Sequence, residues 1–113
     1  MSLTQLEAMA LTFAVEAPVA ALLAASLGRK PHWAAAAAIA GSCVTHPILW
    51  AVFADAEAWF GALRIPILEA CVATVETLAY AALVTPRWTQ AALLSIAANT
   101  ASWGAGELVY ALT

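Results

Sequence analysis

Charged side chains are scarce in this chain. Lys, Arg, Asp and Glu together make up 10% of its 113 residues, whereas a soluble domain carries about 25%. So few charges cannot cover the surface of a globular protein in water. The chain has only four Lys and Arg residues, so it also lacks the basic stripe of a nucleic-acid-binding protein. We therefore expect no nucleic-acid partner.

Cysteine is also rare, and the two that occur are Cys43 and Cys71. Both lie inside apolar runs, and their separation matches no metal-ligand spacing, which excludes a soft-metal thiolate site. A free cysteine in such surroundings behaves as a small apolar residue. We expect both cysteines to serve in packing.

Apolar residues are abundant instead, at 65% of the chain, with a mean hydropathy of +0.88. They form four runs, each close to the length of about 20 residues that an α-helix needs to cross a bilayer. Alanine is frequent and β-branched residues are few, which favours helices over strands. The N-terminal residues lack the positive region of a signal peptide, so we expect the first run to remain as a span. The sequence predicts one domain (1–113) that is an all-α, integral membrane four-helix up-down bundle, with spans at about 5–27, 33–54, 65–84 and 88–112.

The four basic residues are distributed unequally over the connections between these runs. Arg29 and Lys30 lie in the first connection and Arg87 in the third, whereas the second carries only Arg64. Connections of membrane helices that are rich in Lys and Arg stay in the cytoplasm. We therefore expect a multi-pass protein of the cell membrane, in contact with the lipid bilayer, with both termini on the non-cytoplasmic side.

Each predicted span carries a polar residue near its middle. Ionisable groups are costly in hydrocarbon and normally face the bundle interior or water. At about 1.5 Å per residue, the four lie at nearly the same depth. We predict that they meet in a buried cluster at the centre of the bundle, formed by Glu16, His46, Glu76 and Asn99.

Helical periodicity adds further polar residues to the same faces. Glu69, Glu76 and Tyr80 are spaced i, i+7 and i+11, so they share one stripe on the third helix. Hydroxyl residues lie beside the cluster on the second and fourth helices. We therefore include Glu69 among the predicted cation- or proton-binding residues, and we expect three supporting residues, Thr45, Tyr80 and Ser102.

Two prolines occur at the depth of this cluster. Pro18 follows Glu16 by two residues, and Pro47 directly follows His46. A proline inside a helix leaves the carbonyl group four residues earlier without its hydrogen bond. Such interruptions are tolerated in a membrane where neighbouring groups or water satisfy the carbonyl, so we expect polar surroundings at this level.

Carboxylates, an imidazole and an amide are suited to bind a proton or a hard or borderline cation. The sequence therefore predicts a small cation-binding or proton-coupled transport protein, acting as a homo-oligomer. If the ligand is a metal, a divalent cation is the candidate, and Glu16, His46 and Glu76 are its expected ligands.

Two other classes remain open. The chain could be an accessory subunit of a larger membrane complex, with the polar cluster in contact with partner subunits or a cofactor. An enzyme is less favoured, because a Glu/His pair specifies no reaction and the spacings of nucleophilic or metallohydrolase motifs are absent from the sequence.

Overall fold

The computed structural model describes residues 3–113, which fold almost entirely into α-helices. This part of the chain contains no β-strand, so the expected all-α class with four helices is confirmed. The elements in chain order are α1 (Gln5–Ser26), α2 (Pro31–Phe60), a 3-10 turn (Gly61–Leu63), α3 (Arg64–Leu83) and α4 (Trp88–Leu112).

Helix α1 begins with a reciprocal pair of hydrogen bonds. The Thr4 hydroxyl accepts from the backbone N–H of Glu7 at 3.1 Å, and the Glu7 carboxylate accepts from the N–H of Thr4 at 3.2 Å. This arrangement satisfies two donors that the first turn of a helix leaves free. At the other end, Gly28 adopts a φ of 74°, which reverses the chain and leads into α2.

Helix α2 continues six residues beyond the predicted end of the second span at residue 54, and ends at Phe60. Glu57 lies inside the helix, where its carboxylate accepts a hydrogen bond at 3.3 Å from Arg64 at the start of α3. The same guanidinium lies over the ring of Phe53, 4.2 Å from its centroid. The chain reverses only at Gly61, which has a φ of 57°. Asp55 and Glu57, which follow the predicted end of the span, therefore mark a change of polarity and not the end of the helix.

The four helices form a closed ring of neighbours, in which α1 and α3 each pack against both α2 and α4. The Arg29 guanidinium, in the connection after α1, donates to the side-chain oxygen of Gln90 in the first turn of α4 at 3.0 Å. Thr85, in the connection before α4, donates to the same oxygen at 2.8 Å. The first and third connections thus lie at one end of the bundle, as an up-down topology requires. We call it the basic end, because Arg29, Lys30 and Arg87 lie there.

The half of the bundle next to the basic end is packed mainly with alanine. Small side chains allow helix backbones to approach closely. The eight buried residues of this alanine core, which come from all four helices, are Ala20, Ala24, Ala34, Ala37, Ala38, Tyr80, Ala91 and Leu94.

Two helical segments in the described part of the chain are long and apolar enough to cross a membrane. They are Gln5–Ser26 and the run Pro31–Leu83, which includes α2, the turn and α3. Helix α4 is also long, but polar residues such as Ser95, Asn99 and Ser102 make it less apolar.

Two prolines lie inside helices, as their positions in the sequence predict. Pro18 is in α1 and Pro47 is in α2, and both helices continue through them. Neither proline can donate a backbone hydrogen bond. The two interruptions lie beside Glu16 and His46, where polar side chains enter the interior of the bundle.

Candidate functional site

Polar side chains from all four helices meet at the centre of the bundle. Glu16 comes from α1, Thr45 from α2, Glu76 from α3 and Asn99 from α4, and each is at most 7% exposed. The interior is therefore polar at mid-height, while the half next to the basic end is apolar.

Glu16 is held between the two helices that flank α1. One carboxylate oxygen, Oε1, accepts a hydrogen bond from the hydroxyl of Ser42 in α2 at 3.2 Å. The other, Oε2, accepts from the hydroxyl of Ser102 in α4 at 2.6 Å. Glu16 is 2% exposed, so these two hydroxyl groups replace water as its partners.

Glu76 has an equivalent arrangement on the opposite side of the site. Its Oε2 accepts from the Thr45 hydroxyl of α2 at 3.2 Å, and its Oε1 accepts from the Asn99 side-chain amide of α4 at 3.4 Å. The Asn99 amide also donates to the backbone carbonyl of Ser95 at 2.8 Å, which fixes its orientation. Gly41 provides the space in which the aliphatic part of the Glu76 side chain lies.

The carboxyl groups of Glu16 and Glu76 lie side by side. Ser42 and Gly41, which contact Glu16 and Glu76, are adjacent on α2, and their donors Ser102 and Asn99 are one turn apart on α4. An ionised carboxylate can only accept hydrogen bonds, so a bond between the two requires one proton. Two carboxyl groups in contact share a proton in this way in other proteins, because like charges at that distance strongly disfavour double ionisation. We call Glu16 and Glu76 the carboxyl pair.

A cavity of about 390 Å³ extends from the carboxyl pair to the end of the bundle opposite the basic end. On each helix, the lining residues stop at the level of the pair, which therefore forms the inner limit of the cavity. No Lys or Arg lines it within the described residues. The polar and aromatic residues of its wall include Glu16, Thr45, His46, Trp50, Phe53, Glu69, Glu76, Asn99, Ser102, Trp103, Glu107 and Tyr110.

His46 lies in the wall of this cavity but does not join the carboxyl pair. It is 9% exposed, and its ring stacks near that of Trp50 with 6.3 Å between centroids. Its Nδ1 is enclosed and has no hydrogen-bond partner among residues 3–113. Over the same range, no ion pair links His46 to either glutamate.

The predicted metal site is not supported by this geometry. Within the part of the chain that the structure describes, no group of three or more His, Cys, Asp or Glu residues is placed to hold a metal ion. Glu16 and Glu76 meet, but His46 remains in the wall and forms no group with them. Hydroxyl and amide donors orient the two carboxylates, and the imidazole contributes to neither.

The two remaining predicted residues occupy different surroundings, although they share the helix face of Glu76. Glu69 is half-buried and lines the cavity two turns before Glu76. Tyr80 lies one turn beyond Glu76, is fully buried in the alanine core, and its hydroxyl has no partner among the described residues. Glu69 thus belongs to the cavity, whereas Tyr80 lies behind its inner limit.

Several residues of the site carried weaker sequence signals. Ser42 precedes His46 by four residues and therefore shares its face, which is a usable signal. Trp50 follows His46 at the same spacing and lines the cavity. Gly41 of α2 contacts Glu76 of α3, and nothing in a single sequence indicates such a contact between helices.

The arrangement combines a pair of carboxyl groups that can hold one proton with an acidic, partly aromatic cavity that leads to it. Chemically, it can bind a cation at the pair and release or take up a proton there. Comparison with protein-family models, with curated proteins and with solved structures finds no match to this chain.

Proposed function

We propose that this chain is a four-span membrane protein that exchanges a cation for a proton at the carboxyl pair. The observation that carries the proposal is the side-by-side placement of Glu16 and Glu76 at the inner end of a cavity whose described wall has no basic side chain except His46. Such a pair binds positive charge, and it can do so as a proton or as another cation.

The distribution of polarity supports a bilayer environment. Large apolar side chains point outward on every helix, as Leu22, Ile48, Leu78 and Ile96 illustrate, with exposed fractions of 55% or more. Only 17% of the apolar window in Gln5–Ser26 and 33% of that in Pro31–Leu83 are buried inside the bundle. Exposure of this much apolar surface to water is unfavourable, whereas lipid accommodates it and disfavours charge outside the bundle.

The charges at the two ends support an orientation. Arg29, Lys30 and Arg87 lie at the basic end, and Arg64, at the opposite end, is paired with Glu57. With the basic end in the cytoplasm, both termini and the cavity opening face the non-cytoplasmic side. A cation then approaches the pair from outside the cell.

The cation and the proton compete for the carboxyl pair, and this competition couples the movement of one to the movement of the other. When Glu16 and Glu76 share a proton, the pair carries one negative charge. A monovalent cation that contacts both carboxylates stabilises the doubly ionised state and displaces that proton, so the net charge of the occupied site is unchanged. The hydroxyl groups of Ser42, Ser102 and Thr45 keep the carboxylates in place in both states.

Transport also requires access from the second side of the membrane. The alanine core separates the carboxyl pair from the basic end, so the present conformation corresponds to access from one side. Alternating access is achieved in other transporters when one group of helices moves against another around a fixed site. Opening of the core would hydrate the Tyr80 hydroxyl, which has no partner in residues 3–113 of this conformation.

Proteoliposomes test the proposal. The purified chain is reconstituted with a pH-sensitive dye inside, a pH gradient is imposed, and Na⁺, K⁺, Mg²⁺, Mn²⁺ or an organic ammonium salt is added outside. We expect at least one cation to change the internal pH with the wild type and not with Glu16→Gln or Glu76→Gln. Asp55→Asn is the matched control, because this carboxylate is exposed outside the site.

Two results would contradict cation–proton exchange. One is that no cation of the panel moves protons through the wild-type protein, which would favour the alternative of an accessory subunit. The other is that the double variant Glu16→Gln/Glu76→Gln keeps the wild-type response.

A further inference from the structure

We infer that the cation exchanged at the carboxyl pair is a protonated organic amine with an aromatic or other apolar body, and not a metal ion. The inference rests on the proposed function. It adds that the ligand contacts the walls of the cavity as well as the carboxyl pair at its inner end. Size, charge, aromatic lining and one unpartnered side chain carry it.

The size of the cavity fits a small organic molecule. Its volume of about 390 Å³ lies within the range of about 300–1,000 Å³ found for small-molecule sites. A bound metal ion needs a compact shell of ligands, and the described residues contain no group of ligands of that kind.

The charge of the wall selects a cation. Four carboxylates line the cavity, one each from Glu16, Glu69, Glu76 and Glu107, and the lining within the described residues includes no Lys or Arg. An anionic ligand would meet uncompensated like charge along the whole cavity. A cation meets carboxylates both along the wall and at the carboxyl pair.

Aromatic rings form much of the remaining wall. Trp50 comes from α2, and Trp103 and Tyr110 from α4. Phe53 of α2 also lines the wall, with one face of its ring covered by the Arg64 guanidinium. The faces of such rings attract organic cations, and their surfaces remove an apolar body from water. A hydrated metal ion would make no use of these rings, whereas an amine with an aromatic body contacts rings and carboxylates together.

His46 provides an independent indication of a ligand with N–H donors. Its side chain is about nine-tenths buried in the cavity wall, and the enclosed Nδ1 has no partner among the described residues. A buried polar group without a partner is rare and calls for an explanation. A neutral imidazole carries one acceptor nitrogen, to which an ammonium N–H in the cavity can donate.

The binding test uses matched probes and the detergent-purified full chain. The amines 2-phenylethylammonium and 2-(1-naphthyl)ethylammonium are compared with their N,N,N-trimethyl analogues and with the neutral alcohols of the same shape. Binding is followed by tryptophan fluorescence and by calorimetry. We expect saturable binding of at least one amine, weaker by about tenfold for its trimethyl analogue and by about a hundredfold for the alcohol.

Variants distinguish the contribution of the cavity wall to amine binding from that of the carboxyl pair. Trp103→Leu should weaken amine binding by about fivefold to tenfold through the lost cation–π contact, whereas Trp88→Leu should not, because Trp88 is exposed at the start of α4. His46→Phe should remove the preference for the amine over its trimethyl analogue. Equal binding of amine and alcohol, or no binding of either amine, would overturn the inference.

The same probes distinguish failure of the inference from failure of the proposed function. If Mn²⁺ or Na⁺ drives proton movement in proteoliposomes and neither amine does, exchange stands and the organic ligand is wrong. If an amine binds to the cavity but releases no proton in weak buffer and drives no proton movement, the ligand class stands and exchange is wrong.

Discussion

Gly41 of α2 lies directly against the side chain of Glu76 in α3. A Cβ atom at position 41 would be 2.9 Å from Cγ of Glu76, a separation that Cβ atoms do not tolerate. The absence of a side chain at this position lets the two helices approach. Thr45, one turn further along α2, then reaches the Glu76 carboxylate at 3.2 Å.

Gly41→Ala should therefore disturb the carboxyl pair, although residue 41 is not one of its members. The added methyl group forces the Glu76 side chain away from its present position, which weakens its bonds to Thr45 and Asn99. We expect cation affinity to fall by about tenfold and stability by about 1–3 kcal/mol, as for other overpacked sites. Gly104→Ala is the control, because a Cβ there meets nothing within 4 Å. Wild-type cation binding by Gly41→Ala would show that this contact does not position Glu76.

Ser102→Ala tests whether the Ser102 hydroxyl orients the carboxylate of Glu16. The Ser102 hydroxyl makes the shortest contact to Glu16, at 2.6 Å, and its loss leaves a buried carboxylate oxygen without that donor. A hydrogen bond to a charged group contributes about 1.5–3 kcal/mol, so exchange and cation affinity should both fall by about tenfold or more. Ser26→Ala should have no effect, since the Ser26 hydroxyl bonds only to the carbonyl of Leu23 at the exposed end of α1. Unchanged exchange in Ser102→Ala would argue against Glu16 as a ligand.

Cation affinity should rise with pH. The carboxyl pair takes either a proton or the cation, so a lower proton concentration frees the pair, and the apparent dissociation constant should fall by up to about tenfold per pH unit. The titratable groups that line the cavity are Glu16 of α1, His46 of α2, Glu69 and Glu76 of α3, and Glu107 and Tyr110 of α4.

Titrations of amine binding at several pH values check this dependence. Glu16→Gln should move it to lower pH, because the remaining Glu76 carboxyl group can ionise without a second negative charge beside it. Glu107→Gln should preserve it, since Glu107 lines the cavity away from the pair. A pH dependence that is unchanged in Glu16→Gln and disappears in His46→Gln would assign the proton to the imidazole instead.

The two native cysteines report on the bilayer. Cys43 and Cys71 both lie on the outer surface of the bundle, so in water both would react with a thiol reagent. In a membrane, lipid covers them, and a water-soluble maleimide should label neither until the membrane is dissolved and the chain is denatured. Asp55→Cys, which is exposed near the α2–α3 turn, should label readily in intact membranes. Equal labelling rates at all three positions would contradict the four-span arrangement.

We expect the stability of the basic end to depend on Thr85. Its hydroxyl donates to Gln90 at 2.8 Å and accepts from the backbone N–H of Arg87 at 3.2 Å. Thr85→Val removes both bonds and should lower the free energy of unfolding in detergent by about 1–3 kcal/mol. Thr74→Val is the matched control, because its hydroxyl bonds only to Ala70 within its own exposed helix face. Equal melting temperatures of the two variants would refute this role.

Depth and periodicity indicate most of the site because apolar surroundings strongly disfavour unpaired charge, so polar groups on apolar helices gather in the interior. Glu16, Glu76 and Asn99 fall at one level on separate helices, and the structure brings them together at one end of the cavity. The preference of polar groups for the interior does not determine how each side chain is oriented there. His46 shares the depth but bonds to neither carboxylate, and Tyr80 shares the stripe of Glu76 but faces the alanine core.

Helix ends were harder to infer than helix faces. The second predicted span ends at residue 54, just before the charges of Asp55 and Glu57, whereas α2 continues to Phe60. Charge indicates where a chain leaves an apolar environment, but a helix ends where the backbone can reverse, and here Gly61 provides the required positive φ. The aromatic wall was missed for a similar reason, since a tryptophan near the end of an apolar run is equally suited to a lipid interface.

The alanine core has a mechanical consequence. Six of its eight residues are alanines, whose methyl groups interlock less than longer side chains do, so movement of the helices against one another at this level displaces few side chains. At the basic end, by contrast, the side chains of Arg29 and Thr85 both bind one oxygen of Gln90 and so link α4 to the connections after α1 and α3.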